Sequence, residues 1–169
     1  MPIVHEDKER SLIVHQRWEG NSPLTVLEVV ADGVPPQKFI QFFHNQHEIM
    51  PKYNKMIKVK KIDEDAGFLV VHQRWKMPWM MSNRSFFNTY YHIDGCEPGE
   101  YQFIVSSYGN EEFVRKHAAC AGKDVIGEMN INYIGIKPAR NYRGEIYGTY
   151  LQQVQSINPA GMIMEWQKA

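Results

Sequence analysis

The stretch GFLVVHQRWKMPWMMSNRSFFNTYYHID, residues 67–94, decides the fold of this chain. It holds two runs rich in β-branched and aromatic residues, at 68–75 and 84–93, and such runs are typical of β-strands. Pro78 lies between them and has no backbone N–H to donate, so strand pairing must stop near it. We therefore predict two antiparallel neighbouring strands joined by the loop at 76–83.

The tip of this loop is apolar, with Trp79, Met80 and Met81 in a row. Exposed clusters of large apolar side chains are rare on proteins and commonly mark a contact surface. Two interpretations follow. Either the loop folds back onto the protein, or these three side chains make transient contact with a membrane.

Further strands are predicted wherever β-branched and aromatic residues alternate with polar ones between clusters of turn formers. They lie at 11–18, 24–30, 56–62, 101–108, 128–136 and 145–157. Short turns join most of them, a pattern typical of an antiparallel sheet. We expect the strand at 128–136 to be closed by Pro138.

Three helices complete the pattern. A proline pair at 35–36 suits a first helical turn, and Pro51 is expected to end that helix. A second helix is predicted within 110–122, with the Asn110 side chain as its cap, and a third starts near Asn158. Helices before and after a run of strands indicate an α+β fold, and 169 residues suit a single domain.

Composition argues against several functional classes. The chain carries 19 basic and 19 acidic residues, so it lacks the excess positive charge that nucleic-acid binding requires. Its first residues are expected to form no secretory signal, and no apolar run approaches the ~20 residues that span a bilayer. Cys96 and Cys120 are far apart and are expected to be free thiols. A cytoplasmic location fits these features.

Four motifs follow one another along the chain. They are Tyr53-Asn54 after the first helix, Lys76 to Pro78 with Arg84-Ser85-Phe86, Asn132 to Pro138, and Tyr147 to Asn158 with Gly161-Met162-Ile163. In this order and spacing they resemble the START domains, which are lipid-binding modules of the helix-grip superfamily. Ser85 stands where the family usually has an acid, and Met164 where it usually has a proline.

The resemblance implies a helix-grip fold, in which a curved antiparallel sheet packs on a C-terminal helix and a cavity between them holds one lipid. It also implies a lipid-binding carrier rather than an enzyme, with no cofactor and no metal. About ten residues follow Pro159, roughly 15 Å of helix at ~1.5 Å per residue, so this helix is expected to be short. Three explanations stay open: a longer parent chain, a cavity open on one side, or a partner that closes it.

The resemblance also points to the strands of residues 67–94 as the ligand site. Sterol-binding members carry a buried acid and an arginine there, and the motifs align these with Gln73 and Tyr90. Both are neutral, which favours a ligand with a hydroxyl or amide group. Alternation places the candidate ligand-binding residues on one face. These are Val71, Gln73, Trp75, Phe86, Asn88, Tyr90 and His92. The alternative is a filled core in which their polar groups bond one another.

Two other functions stay open at this point. One scaffold hosts many activities, so an enzyme of the polyketide cyclase/aromatase type or a hydrolase is an alternative, with His92 and Tyr90 as its titratable candidates. An interaction module with a closed core is the other. Signs of catalysis are few: the sequence has no G-x-S-x-G motif, and His44 and His47 lack a visible third metal ligand.

Overall fold

The structure, a computed structural model, describes residues 1–20, 22–65, 68–78 and 81–158. The strands within them are β1 (Ile3–Asp7), β2 (Leu12–Glu19), β3 (Ser22–Asp32), β4 (Ile57–Asp65), β5 (Phe68–Trp75), β6 (Arg84–Asp94), β7 (Tyr101–Ser106), β8 (Val125–Ile126), β9 (Glu128–Arg140) and β10 (Ile146–Asn158). The helices are α1 (Pro36–His44), α2 (Gln46–Tyr53) and α3 (Glu111–Ala121). None of these helices is long and apolar enough to cross a bilayer.

The strands form one curved sheet in the order β1-β2-β3-β10-β9-β7-β6-β5-β4, and every pairing along this path is antiparallel. The short strand β8 pairs in parallel with the start of β6. The predicted α+β class and the curved antiparallel sheet are therefore confirmed. Strands β1 and β8 were not predicted from the sequence. Two-residue β8 is too short to show an alternating pattern.

Two predictions concern residues outside the described ranges. One is the apolar loop, whose Trp79 and Met80 are not described. The predicted C-terminal helix, together with the Gly161-Met162-Ile163 motif, also lies outside the described residues.

The central strand pair is confirmed. β5 has the predicted bounds, and β6 is one residue longer than predicted. The register places Val71 opposite Asn88 and Gln73 opposite Phe86. Alternation along both strands therefore brings these side chains to the same face of the sheet.

The predicted first helix is two helices, α1 and α2, separated at Asn45. The Asn45 side chain donates to the carbonyl oxygen of Gln41 at 2.9 Å, a local bond that competes with continuation of the helix. The prediction that Pro51 ends the helix is wrong, because Pro51 lies inside α2, which continues to Tyr53. The missing N–H of Pro51 removes one backbone bond, and in this short helix the loss is confined to the last turn.

The prediction that Pro138 closes its strand is also wrong, because β9 continues to Arg140. Pairing of β9 with β7 ends at Ile136, whereas pairing with β10 continues through Pro138. Beyond Ile136 one side of β9 is therefore an edge, and an edge tolerates a residue that lacks a donor.

The side chain of Asn110 does not cap α3 as predicted. Its amide oxygen accepts a hydrogen bond from the Thr89 hydroxyl at 2.8 Å, and its amide nitrogen donates to the carbonyl oxygen of Phe87 at 2.9 Å. Asn110 thus attaches the start of α3 to β6. At the other end Gly122 closes the helix as predicted, with a φ of 60° that glycine adopts readily.

The core lies on one face of the sheet, which we call the inner face, and α1 packs on it. Its buried members from the sheet are Leu69, Val71, Tyr90, Tyr101, Phe103, Val105, Met129, Ile134, Ile136 and Leu151. Phe43 of α1 stacks on the fully buried ring of Phe103 with 5.5 Å between the ring centroids. The inner face therefore carries the predicted ligand-binding residues of β5 and β6.

Candidate functional site

The predicted ligand-binding residues lie together on the inner face of β5 and β6. Val71, Phe86 and Asn88 are fully buried, and Gln73 and Tyr90 are at most 3% exposed. Trp75 is half-buried and packs on Phe86, with 4.9 Å between the ring centroids. Alternation along two neighbouring strands is thus enough to bring these side chains together.

A continuous chain of hydrogen bonds crosses this face. The Met129 backbone N–H donates to the Ser107 hydroxyl oxygen at 2.9 Å, and that hydroxyl donates to the Asn88 amide oxygen at 2.7 Å. The Asn88 amide nitrogen donates to the Gln73 amide oxygen at 2.8 Å. The Gln73 amide nitrogen in turn donates to the Tyr90 hydroxyl oxygen at 2.6 Å. Polar groups on the predicted strands therefore do bond one another.

The direction of this chain is fixed by its first member. A backbone N–H can only donate, so the hydroxyl of Ser107 accepts there and directs its own proton to Asn88. The side-chain amides of Asn88 and Gln73 then each accept a hydrogen bond at the oxygen and donate one from the nitrogen. The last oxygen, on Tyr90, accepts from Gln73 and makes no hydrogen bond as a donor within the described residues. The chain ends in an O–H group that is free to donate.

Within the described residues, two donors on the inner face therefore have no acceptor. Burial raises the pKa of the Tyr90 hydroxyl, so this group keeps its proton at all ordinary pH values. The indole Nε1 of Trp75 is also buried and has no hydrogen-bond partner in the part of the chain that the structure describes. Buried donors without partners are rare and unfavourable, and they commonly mark a place for a missing acceptor. Both residues were predicted site residues, but no local pattern indicates that their donors have no partner within the described residues.

A second cluster surrounds His92 at the other end of β6. The His92 ring stacks on His44 of α1 with 4.6 Å between the ring centroids, and its Nδ1 is hydrogen-bonded to the Tyr101 hydroxyl. Burial, together with nearby His44 and His47, lowers the pKa of His92 to about 4. The ring is therefore neutral at pH 7 and helps to hold α1 and α2 against the sheet.

Replacing His92 with glutamine is expected to reduce the pH dependence of stability between pH 6.5 and 4. Because the folded-state pKa is lowered, the unfolded chain binds the proton more readily, and stability falls as the pH drops from 6.5 through 4. The full shift corresponds to about 3 kcal/mol. Solvent screening of the half-buried ring reduces this to about 1–2 kcal/mol. Urea unfolding across this window measures the effect, and His5→Gln on the exposed strand β1 is the control; an equal reduction in both variants contradicts the assignment.

The outer face holds a serine, a histidine and an aspartate that resemble catalytic groups. The Ser85 hydroxyl lies 3.0 Å from His72 Nε2 and donates to Asp124 Oδ2 at 3.0 Å. Arg74 forms two bonds to the Asp124 carboxylate, at 2.5 and 2.8 Å, and holds the pKa of that carboxyl below its usual range. The serine proton is thus directed to the carboxylate and not to the histidine. Since Ser85 is also fully buried, this trio joins β5, β6 and the segment after α3 and is not an activated nucleophile.

In the described part of the chain, neither the two cysteines nor any metal-binding cluster forms a further candidate site. Cys96 and Cys120 are exposed free thiols, as predicted. Within residues 1–20, 22–65, 68–78 and 81–158, no group of three or more histidine, cysteine, aspartate or glutamate side chains is arranged to hold a metal ion.

Two cavities border the inner-face groups. The larger, about 480 Å³, lies beside α3 and includes Ser107 and Met129, the first members of the hydrogen-bond chain. The smaller, about 270 Å³, is an apolar hollow between α1 and β10 that includes Phe43 and Leu151. Both are lined by residues other than the seven predicted ones. Neither cavity was predicted from the sequence, because residues far apart in the chain enclose them.

Comparison with known proteins identifies the architecture. No family model and no curated protein sequence matches the chain. Among solved structures, human STARD10 has a TM-score of 0.75 at 11% identity and covers 98% of this chain, which spans 64% of the STARD10 chain. Human StAR-related lipid transfer protein 5 has a TM-score of 0.69 at 14% identity, and the likeness covers 98% of this chain and 76% of that protein's chain. A STAR-related lipid transfer protein fragment from Xanthomonas axonopodis has a TM-score of 0.69 at 12% identity, and the likeness covers 98% of this chain and 86% of that fragment.

These likenesses extend over almost the whole chain, whereas the sequence identities are low. At such identities these likenesses establish the fold alone. The ligand has to be inferred from the residues of this chain. The strand order and the sheet curvature agree with the fold that the four motifs predicted. The chain therefore has the START-like helix-grip fold.

Proposed function

We propose that this protein binds a lipid or a similar hydrophobic molecule against the inner face of its curved sheet and carries it as a non-enzymatic lipid-binding protein. The observation that carries this proposal is the hydrogen-bond chain that ends, within an apolar face, in the Tyr90 hydroxyl, a donor without an acceptor among the described residues. The Trp75 indole, likewise without a partner there, supports it. A ligand with an acceptor group satisfies these donors while its apolar part is removed from water.

The two kinds of contact have different roles. Burial of apolar ligand surface contributes about 25 cal/mol per Å² and supplies most of the affinity. The donors select the ligand, because a molecule without an acceptor leaves them unsatisfied. The inner-face side chains of β5 and β6 near the Tyr90 hydroxyl, among them Val71, Gln73 and Asn88, carry no charge that could pair with an ionic headgroup. We therefore propose a lipid with a neutral hydroxyl, ester or amide group near its buried end.

The proposed site residues divide by position. Tyr90 and Trp75 donate to the ligand, and Gln73 and Asn88 orient Tyr90 through the hydrogen-bond chain. Three further side chains form the surrounding wall. These are Val71, Phe86 and His92.

The cellular setting is part of the proposal. Exposed free thiols at Cys96 and Cys120 fit the reducing conditions of the cytoplasm. The apolar loop with Trp79, Met80 and Met81 is proposed to touch a membrane transiently when a lipid is loaded or released. The balanced charge of the chain, with 19 basic and 19 acidic residues, argues against a nucleic-acid partner.

Replacing Tyr90 with phenylalanine is expected to weaken ligand retention about tenfold, because a hydrogen bond in a buried site contributes about 1–1.5 kcal/mol. The purified protein is extracted with organic solvent, and the bound lipid is quantified by mass spectrometry. Tyr108→Phe is the matched control, because the Tyr108 side chain is 89% exposed.

Two outcomes contradict the proposal. One is the repeated absence of bound lipid from the unaltered protein together with no uptake from vesicles. The other is equal lipid retention by the Tyr90 and Tyr108 variants, which rejects the role assigned to the donor.

A further inference from the structure

A basic depression lies on the outer side of the sheet, where β4 starts and β5 ends. Four cationic side chains line it, together with Met56 and Asn83, around a volume of about 320 Å³. The four are Lys55, Lys58, Arg74 and Lys76. The chain as a whole has a net charge of zero, so this is a local concentration of positive charge.

The positive charge is only partly compensated by the protein. Asp124 pairs with Arg74 and is itself only 4% exposed, so it neutralises one cation from beneath the surface. Lys55, Lys58 and Lys76 form no ion pair within the described residues. Lys58 also lies directly opposite Arg74 in the antiparallel register. Like charges placed opposite each other are unfavourable in a sheet, and a bound anion relieves that repulsion.

The strand ends hold these cations at fixed positions. The Lys76 backbone N–H donates to the Met56 carbonyl oxygen at 2.7 Å, which joins the start of β4 to the end of β5. The Met77 N–H donates to the Asn83 side-chain oxygen at 3.1 Å and closes the base of the following loop. The depression is therefore part of the sheet framework and does not depend on a free-standing loop.

The apolar loop begins directly at the depression. Lys76 lines the depression, and the sequence continues with Met77, Pro78 and the three residues Trp79, Met80 and Met81. Cationic side chains beside large apolar ones are the combination that binds a bilayer carrying anionic lipids, because each part contacts a different layer of the membrane. A soluble phosphate compound has no acyl chains that could contact the large apolar side chains.

We propose that the basic depression binds the phosphate of an anionic lipid headgroup and so brings the outer side of β4 and β5 against a negatively charged membrane. This surface lies on the opposite side of the sheet from the proposed lipid-carrying face. The proposal does not require that face to hold a lipid. The two proposals therefore fail independently: loss of vesicle binding leaves the extracted lipid unchanged, and an empty inner face leaves vesicle binding unchanged.

Co-sedimentation with sucrose-loaded vesicles tests this proposal. Vesicles of phosphatidylcholine mixed with phosphatidic acid are expected to bind the protein, and vesicles of phosphatidylcholine alone are expected to bind it weakly. Each lysine near an anionic surface contributes about fivefold to the partition coefficient, so the double variant Lys58→Ala/Lys76→Ala should lose roughly 25-fold. Added salt should weaken binding of the unaltered protein.

The control is the double variant Lys8→Ala/Lys116→Ala, which removes the same charge from exposed positions elsewhere. It should change binding by less than about twofold. Equal losses in the two double variants overturn the proposal, as does binding that is equally strong without phosphatidic acid. Nuclear magnetic resonance shifts at the depression on adding inorganic phosphate, without vesicle binding, also overturn it in favour of a soluble ligand.

Discussion

Replacing Gln73 with glutamate is expected to lower the free energy of unfolding by about 3–5 kcal/mol at about pH 8, because it places an uncompensated carboxylate among buried groups. Gln73 is 3% exposed, and its neighbours Asn88 and Tyr90 are neutral. Burial raises the folded-state pKa of the introduced carboxyl above its unfolded value of about 4.3. Stability should therefore fall as the pH rises from that value through the raised pKa. Urea unfolding at several pH values measures this profile.

A compensating variant makes the test specific. Adding Tyr90→Arg to Gln73→Glu supplies a counter-charge at the position where the START resemblance places an arginine. The double variant should be more stable than the sum of the single effects predicts by about 0.5–3 kcal/mol. Gln41→Glu on the exposed face of α1 is the control and should be nearly neutral. No coupling between the two positions contradicts their assigned contact.

Replacing Phe103 with alanine is expected to lower the free energy of unfolding by about 3–5 kcal/mol. The Phe103 ring is fully buried and contacts three rings, one from α1 and two from β6. It stacks on Phe43 of α1, lies edge-on to Tyr90 at 5.2 Å, and lies 5.0 Å from His92. The change therefore leaves a cavity where α1 meets the inner face, and the surrounding sheet is too rigid to fill it.

Chemical denaturation measures the effect of Phe103→Ala. Tyr108→Ala is the control, because an 89% exposed side chain should change stability by no more than about 0.5 kcal/mol. A loss below about 1 kcal/mol for Phe103→Ala contradicts its place at the centre of the core. Lipid retention can be measured on the same samples, since α1 and Tyr90 both contact this ring.

The sequence predicted the features that depend on local alternation. The period of two along 68–75 and 84–93 placed the seven inner-face residues on one side, and the structure agrees. This shared face follows from strand geometry alone, so a single sequence suffices to predict it. Gln73 and Tyr90, which the START resemblance aligned with the family's acid and arginine, are hydrogen-bonded at 2.6 Å.

Features that depend on distant partners were not predicted. The direction of the hydrogen-bond chain is set by Ser107, directly after β7, and Met129 of β9, which are remote in sequence from β5. The partner of Ser85 is Asp124, 39 residues away. Pro51 and Pro138 were interpreted from their local effect on the backbone. The start of α2 and the start of β7 decide how much that effect matters. Such outcomes are fixed by tertiary pairing, which no local pattern contains.

The last described strand of the chain, β10, occupies an interior place in the sheet, between β3 and β9. During synthesis on the ribosome, β3 and β9 therefore each keep one unpaired edge until residues 146–158 emerge. Pairing of β10 with β3 joins residues more than a hundred positions apart, and contacts of such long range form slowly. A nascent chain that stalls before β10 presents two open edges to other chains, so aggregation of incomplete products is the characteristic hazard of this topology.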